Sequence, residues 1–179
     1  ARPQVSSQRA EFRPDAVINC AADTNTSIST SSPARYVDGN IVTTVELLEA
    51  IRWYLDSGRG MRADFKYIHV SSCEDFAIDG DSQLSRPGPT TPYAASKAAA
   101  DQMVNSWQHT YQIPACIASF GNCFGPYQSA EEPIPFIILN LVTGRQVRVS
   151  GADLHGGEWV AINDVSSGLM MIADQGQFG

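Results

Sequence analysis

The chain has 179 residues, enough for one sizeable core, with 43% hydrophobic and 17% charged residues and no apolar run long enough to span a bilayer. Its net charge of -7 argues against a surface that tracks nucleic-acid phosphates or an anionic membrane, so a bound anion must be met by locally placed cations or helix N-termini. His69, His109 and His155 lack metal-ligand spacing, so no metal is expected, and Cys20, Cys73, Cys116 and Cys123 contain no Cys-x-x-Cys pair and read as buried free thiols in a reducing cytoplasm.

Short apolar runs alternate with longer helical stretches, the pattern of parallel βαβ units. Ala1 to Arg13 is polar throughout and shows no signal peptide. Arg13-Pro14-Asp15 introduces a buried strand over Ala16 to Ala22, and a Ser/Thr-rich stretch, Asp23 to Ser32, reads as a loop closed by Pro33 at a first helical position. Val37, Ile41, Val45, Leu48 and Ile51 recur at helical spacing from Pro33 to about Leu55, where Asp56-Ser57-Gly58 and Gly60 end the helix. Phe65 to Ser72 is a second strand, rich in aromatic and β-branched residues. A polar loop then leads to Thr91-Pro92, an N-cap with proline at the first position of a helix that runs to about Tyr111. Beyond a third strand, Ala115 to Gly121, the pattern predicts a helix near Pro135 to Thr143, short strands around Val147 to Val149 and Trp159 to Ile162, and a helix over Val165 to Ala173.

A doubly wound dinucleotide fold opens with a strand, a Gly-rich turn and a helix that holds the pyrophosphate. Nothing of the form G-x-x-G-x-x-G precedes Ala16, and both ends of the chain read as cut. The expected architecture is α/β, a Rossmann-like doubly wound parallel sheet without its N-terminal Gly-rich βαβ unit. Residues 1–125 are assigned to a partial dinucleotide-binding domain of this Rossmann-like kind, and 126–179 to the start of a small substrate-binding region.

Tyr93 and Lys97 stand four apart in Tyr93-Ala94-Ala95-Ser96-Lys97, which puts both on one helix face a turn apart. An ammonium nearby favours phenolate over phenol and draws a tyrosine down from its usual pKa of ~10, making Tyr93 a candidate base. The strand before that helix ends in Ser71-Ser72-Cys73-Glu74-Asp75, and ligands of open α/β sheets bind beyond the carboxyl ends of strands. Ser72 offers a hydroxyl to a sugar, and Glu74 a carboxylate able to take a proton from carbon. Cys73, with a reference pKa of ~8.5, is mostly a thiol able to donate one; Asp75 reads as the start of a solvated loop. Asn40 shares the apolar stripe of its helix, as either a packing polar group or a support for the site. Asn122 sits after the third strand, where it either reaches a ligand or forms a turn before Gly125-Pro126.

Taken together, Pro14-Asp15-Ala16-Val17-Ile18-Asn19-Cys20-Ala21-Ala22, Asn40 with Leu47-Leu48-Glu49-Ala50, His69-Val70-Ser71-Ser72, Pro92-Tyr93-Ala94-Ala95-Ser96-Lys97, Gly125-Pro126-Tyr127-Gln128 and Ile134-Pro135 with Ile138-Leu139-Asn140 carry a resemblance. The chain resembles the NAD-dependent epimerase/dehydratase family, the extended short-chain dehydrogenases/reductases, and within it the dTDP-glucose 4,6-dehydratases. The resemblance implies tightly held NAD, with Ala21, Ala22 and Thr24 lining it together with Tyr93 and Lys97. It implies a nucleotide-diphosphate sugar as substrate, met by Thr24, Ser72, Asn122 and Glu131. In that scheme Tyr93 takes the sugar C4 hydroxyl proton, Lys97 tunes Tyr93, Glu74 removes the C5 proton, and the acid at Cys73 helps the C6 hydroxyl leave as water. A homodimer through the helices of Pro33 and Thr91, helped by an Ala94, Ala98, Asp101 face, is also implied.

Cys73 replaces the aspartate usual beside the glutamate, although related sugar-nucleotide enzymes carry serine or cysteine there. Gly157 stands where the family has an arginine, Glu132 where it has a lysine, and Ile28 and Ser119 also replace basic residues. A charge-assisted hydrogen bond to phosphate is worth roughly 1.5–3 kcal/mol, so losing two would weaken substrate binding by ~2–4 orders of magnitude. The alternatives to a 4,6-dehydratase are therefore a non-catalytic relative that binds only a nucleotide or a partner, and a 5,6-dehydratase, decarboxylase or 4-epimerase of the same superfamily.

Overall fold

The structure, a computed structural model, describes residues 13–58, 65–73, 89–147 and 159–178. In chain order its elements are β1 (Ala16–Asn19), α1 (Thr26–Ser31), α2 (Pro33–Tyr36), a π-helical turn (Val37–Val42), α3 (Thr43–Asp56), β2 (Lys66–Ser72), α4 (Pro92–Tyr111), β3 (Ala115–Phe120), β4 (Asn122–Phe124), α5 (Pro133–Val142), β5 (Trp159–Ala161) and α6 (Ile162–Gln175). The first three strands form a parallel sheet in the order β1-β2-β3, and β4 pairs in parallel with β5 as a separate two-stranded sheet. Parallel neighbours require a crossover of a dozen or more residues, which α3 and α4 supply.

Because side chains alternate along a strand, β2 serves two cores. Tyr67 joins Leu48, Ile51, Tyr54, Leu55, Phe65, Val104, Ile113 and Ala115 beneath α3 and α4. Ile68 joins Ala118, Val165 and Leu169 beneath α6. With helices on both faces, the sheet is doubly covered and Rossmann-like, as the sequence predicts.

Several boundaries differ from the sequence reading. Within the stretch read as a loop, Thr26–Ser31 is helical: the Asn25 side chain accepts from Ile28 N at 2.9 Å, and the hydroxyls of Ser29, Thr30 and Ser31 donate to carbonyls three residues back. These residues are poor helix formers, because the same local bonds also serve turns, so composition pointed the wrong way. The long helix from Pro33 is interrupted by the π turn at Val37–Val42. The third strand ends at Phe120, one residue before the predicted Gly121, and Asn122 opens β4. The helix predicted near Pro135 starts two residues earlier, at Pro133. Val147 is outside any strand, and 148–149 lie outside the described residues. The four cysteines are free as expected, but none is buried; Cys20 is exposed and the others are half-buried.

Candidate functional site

Ala21, Ala22 and Thr24 follow β1, Ser72 and Cys73 stand at the carboxyl end of β2, and Asn122 follows β3. Thr91 caps α4, its side-chain oxygen accepting from Ala94 N at 3.0 Å, and Pro92 follows at the first position, where its missing N–H costs nothing. That start places Tyr93 and Lys97 on the first two turns. Both are buried, at 7% and 4% relative exposure. The Tyr93 ring meets Tyr36 edge-on at 6.4 Å between centroids, and Tyr36 donates its hydroxyl to the carbonyl of Asn25. Lys97 Nζ donates to the Val70 carbonyl at 2.8 Å, near the end of β2. Burial pulls the Lys97 ammonium below its usual pKa, while Asp101 and then Cys20 oppose that shift.

Ser72 is the last residue of β2, half-buried, and Cys73 N continues the pairing by donating to Phe120 O at 2.9 Å. Cys73, Ser119, Phe120, Gly121, Trp159 and Val160 line an open cleft of about 540 Å³. Glu74, the candidate base, lies outside the described residues, as do Asp75 and Gly157. Asn122 flanks the cleft, opposite Trp159 in the β4–β5 pair. Glu131 is exposed in the turn before α5, where its amide donates to Ser129 Oγ at 3.4 Å, and no described contact joins it to the cleft.

The loop beyond β1 holds Ala21, exposed, Ala22, half-buried, and Thr24, exposed. Asn40 decides where that loop sits. Its Oδ1 accepts from Asp23 N at 2.7 Å, while Nδ2 donates to Asp23 O at 3.0 Å and to Ser96 Oγ at 2.8 Å. Ser96 Oγ in turn donates to the Tyr93 carbonyl at 2.7 Å. One buried amide thus uses both donors and its acceptor to tie the loop to the turn of α4 that carries Tyr93. The π turn supplies the offset that aims it there. Gly39 belongs to the same device, since a Cβ at that position would fall 2.5 Å from Asp23 Oδ2.

A second polar cluster was not legible beforehand. His69 and Ser71 follow Tyr67 on the face of β2 turned to α4, and Asp101 continues the Tyr93–Lys97 stripe by one more turn. Ser71 Oγ donates to Asp101 Oδ2 at 2.7 Å, His69 Nε2 lies 3.5 Å from Asp101 Oδ1, and the Tyr67 hydroxyl lies 3.1 Å from His69 Nδ1. Burial, and then the Lys97 charge, pushes His69 down to about 4, so it is neutral near pH 7 and its contact with Asp101 is not an ion pair. Burial raises the Asp101 carboxyl, against the Ser71 hydrogen bond and the Lys97 charge. The i+4 step from Lys97 and the i+2 steps from Tyr67 were the available signals. Among the described residues no cluster of His, Cys, Asp and Glu could hold a metal ion, and no helix is long and apolar enough to cross a membrane.

Residues 3–179 match the sequence model of the NAD dependent epimerase/dehydratase family. The chain is 34% identical over 176 residues to a dTDP-glucose 4,6-dehydratase of Neisseria gonorrhoeae, covering 95% of this chain and 51% of that protein. It is 31% identical over 186 residues to dTDP-glucose 4,6-dehydratase 1 of Escherichia coli K12, with 95% and 51% covered. The chain therefore spans about half the length of the curated relatives it matches. Among solved structures, DesIV, a dTDP-glucose 4,6-dehydratase from Streptomyces venezuelae with NAD bound, superposes with a TM-score of 0.83 at 29% identity, covering 100% of this chain and 53% of that one. The Bacillus anthracis dTDP-glucose 4,6-dehydratase in complex with NAD gives 0.79 at 26% identity, with 99% and 53% covered.

Proposed function

The chain belongs to the NAD dependent epimerase/dehydratase family, and on that premise we propose that it carries the reacting side chains of a nucleotide-sugar 4,6-dehydratase. The observation that carries this reading is the bond of Lys97, one turn from Tyr93 on α4, to the Val70 carbonyl just before Ser72 and Cys73 at the carboxyl end of β2. The curated relatives named dTDP-glucose 4,6-dehydratase support the choice of reaction.

The small side chains of Ala21 and Ala22, and the buried ammonium of Lys97, fit the nicotinamide and ribose end of NAD. Thr24 borders the same loop. When bound, NAD supplies the hydride acceptor for sugar C4 and the donor for C6. Tyr93 takes the C4 hydroxyl proton, and Lys97 favours its phenolate through charge. Ser72 hydrogen-bonds the same hydroxyl and orients it. The resulting ketone acidifies C5–H, which Glu74 removes. Cys73 gives a proton to the C6 hydroxyl, which departs as water. Asn122 and Glu131 meet the substrate, and Asn40 holds the loop that carries the small residues.

A second reading has its own observation. Among the described residues, the cleft lining includes Ser119 but no cation, and Glu132, where the family has a lysine, stands at the N-cap position of α5 without a side-chain capping bond. That favours a relative which binds a nucleotide or partner without turnover. The two readings part in one experiment. The full-length protein, given NAD and a panel of nucleotide hexoses, is expected to release a product lighter by one water, and Tyr93→Phe is expected to cut that rate by about 10³-fold. Turnover retained in Tyr93→Phe would overturn the assignment, and no turnover with any sugar would favour the binding-only relative.

A further inference from the structure

The buried cluster beside Lys97 contains one acid that the proposed chemistry does not use. Asp101 stands one turn beyond Lys97, and two beyond Tyr93, on the same stripe of α4. Lys97 and Asp101 grip consecutive residues of β2: Nζ bonds the Val70 carbonyl at 2.8 Å, and Oδ2 accepts the Ser71 hydroxyl at 2.7 Å. The other carboxylate oxygen faces His69 Nε2 at 3.5 Å, and neither of those two buried atoms has a closer hydrogen-bond partner.

We propose that Asp101 is a positioning residue that keeps Lys97 charged and fixed one turn from Tyr93. The physical need is plain. At 4% exposure an ammonium has lost most of its hydration, and the Val70 carbonyl accepts only one of its three N–H bonds. A fixed negative charge one turn away offsets part of that loss. Of the two groups that oppose the desolvation of Lys97, Asp101 acts more strongly than Cys20, which lies on the loop after β1. Among the described residues, the other groups around the stripe supply no counter-charge. On β2, His69 is neutral and hydrogen-bonded near the Tyr67 hydroxyl, with Asn19 of β1 beside both. From α2, Tyr36 packs against Tyr93, and Asp23 is engaged by Arg35. Ser71 holds the carboxylate in place, so the strand, and not Lys97 alone, fixes where the charge sits.

The consequence for chemistry rests on the reading of Tyr93 and Lys97 given above, but the charge coupling is measurable without turnover. Full-length protein labelled with [13C]lysine gives a Lys97 Cε resonance, assigned by its absence in Lys97→Arg, that is followed against pH. Asp101→Asn, which keeps an acceptor for Ser71, is expected to lower the Lys97 midpoint by about one pH unit or more, a tenfold loss of proton affinity. Asp101→Glu should recover at least half of that shift, and Ser71→Ala, which leaves the charge, should move the midpoint by less than half as much. A midpoint in Asp101→Asn within about 0.3 unit of the wild type overturns the proposal, as do equal shifts in Asp101→Asn and Ser71→Ala. If Asp101→Asn does not fold, the wild type alone still decides. Its Lys97 resonance should show a second inflection where the Asp101 carboxyl titrates, and a single inflection overturns the proposal. Absence of dehydration would sink the proposed function and leave these titrations untouched.

Discussion

The three-stranded sheet with α3 and α4, and the helix α5 with its neighbours, solve the burial problem differently. Around the sheet, large side chains such as Leu48, Ile51, Tyr54 and Tyr67 are about fully buried; Asn40 is paired with Asp23 and Ser96, and Ser71 with Asp101, while His69 Nε2 and Asp101 Oδ1 face each other at 3.5 Å. Helix α5 reads PIPFIILNLV, more apolar than α3, yet no residue in it is buried, and Phe136, Ile138, Leu139, Leu141 and Val142 are exposed. The difference teaches that hydrophobicity does not by itself locate a core. Burial follows where opposing faces meet, and the candidate site lies where the well-packed region also had to bury polar groups.

Core substitution is the strongest way to break that comparison. Leu48→Ala, at 0% exposure, is expected to cost about 2–5 kcal/mol in a denaturant melt, whereas Leu141→Ala, at 64%, should cost less than about 0.5 kcal/mol. Equal costs would mean that α5 packs as tightly as the sheet. Acid probes the same packed region through His69. Its folded-state pKa is lowered to about 4, below an unfolded value near 6.5, so the neutral form is the one that folding favours. That stability is fully present above pH 6.5 and is lost as pH falls towards 4, by roughly 3 kcal/mol for this group. Thermal melts across that window should show the decline, and His69→Gln should flatten it. Asn40→Ala is expected to cost less stability than Leu48→Ala or the acid titration of His69. It strands the Asp23 amide and Ser96, for about 1–3 kcal/mol, and it should weaken NAD binding by the full-length protein more than Leu141→Ala does.

Much of the frame was legible in the sequence because it depends on local signals. Thr91-Pro92 is a capping sequence wherever it occurs, and the Tyr93–Lys97 spacing fixes a shared face once the helix exists. Phe65 to Ser72 reads as a strand from its β-branched and aromatic residues. What was illegible depends on contacts far apart in the chain. Asn40 could be placed on an apolar stripe but not assigned, since its partners Asp23 and Ser96 lie 17 and 56 residues away. His69 and Ser71 read only as part of a strand and Asp101 as part of a helix face, because only the packing of α4 on β2 brings them together. The exposure of Cys20 was likewise invisible, since an apolar run says nothing of how soon cover ends beyond a strand.

The π turn at Val37–Val42 carries one further consequence, which concerns how the chain can change by loss of a residue. A π turn holds one residue more than a regular α-turn, so a single deletion within it would leave an unbroken helix. Each helical residue turns its neighbours by ~100°, so the same deletion would swing one side of the helix relative to the other and carry Asn40 away from Asp23 and Ser96. Such a variant would gain local regularity while releasing the loop at Ala21 to Thr24. The surplus residue is therefore a phase setting, and tightening the helix would detune the site.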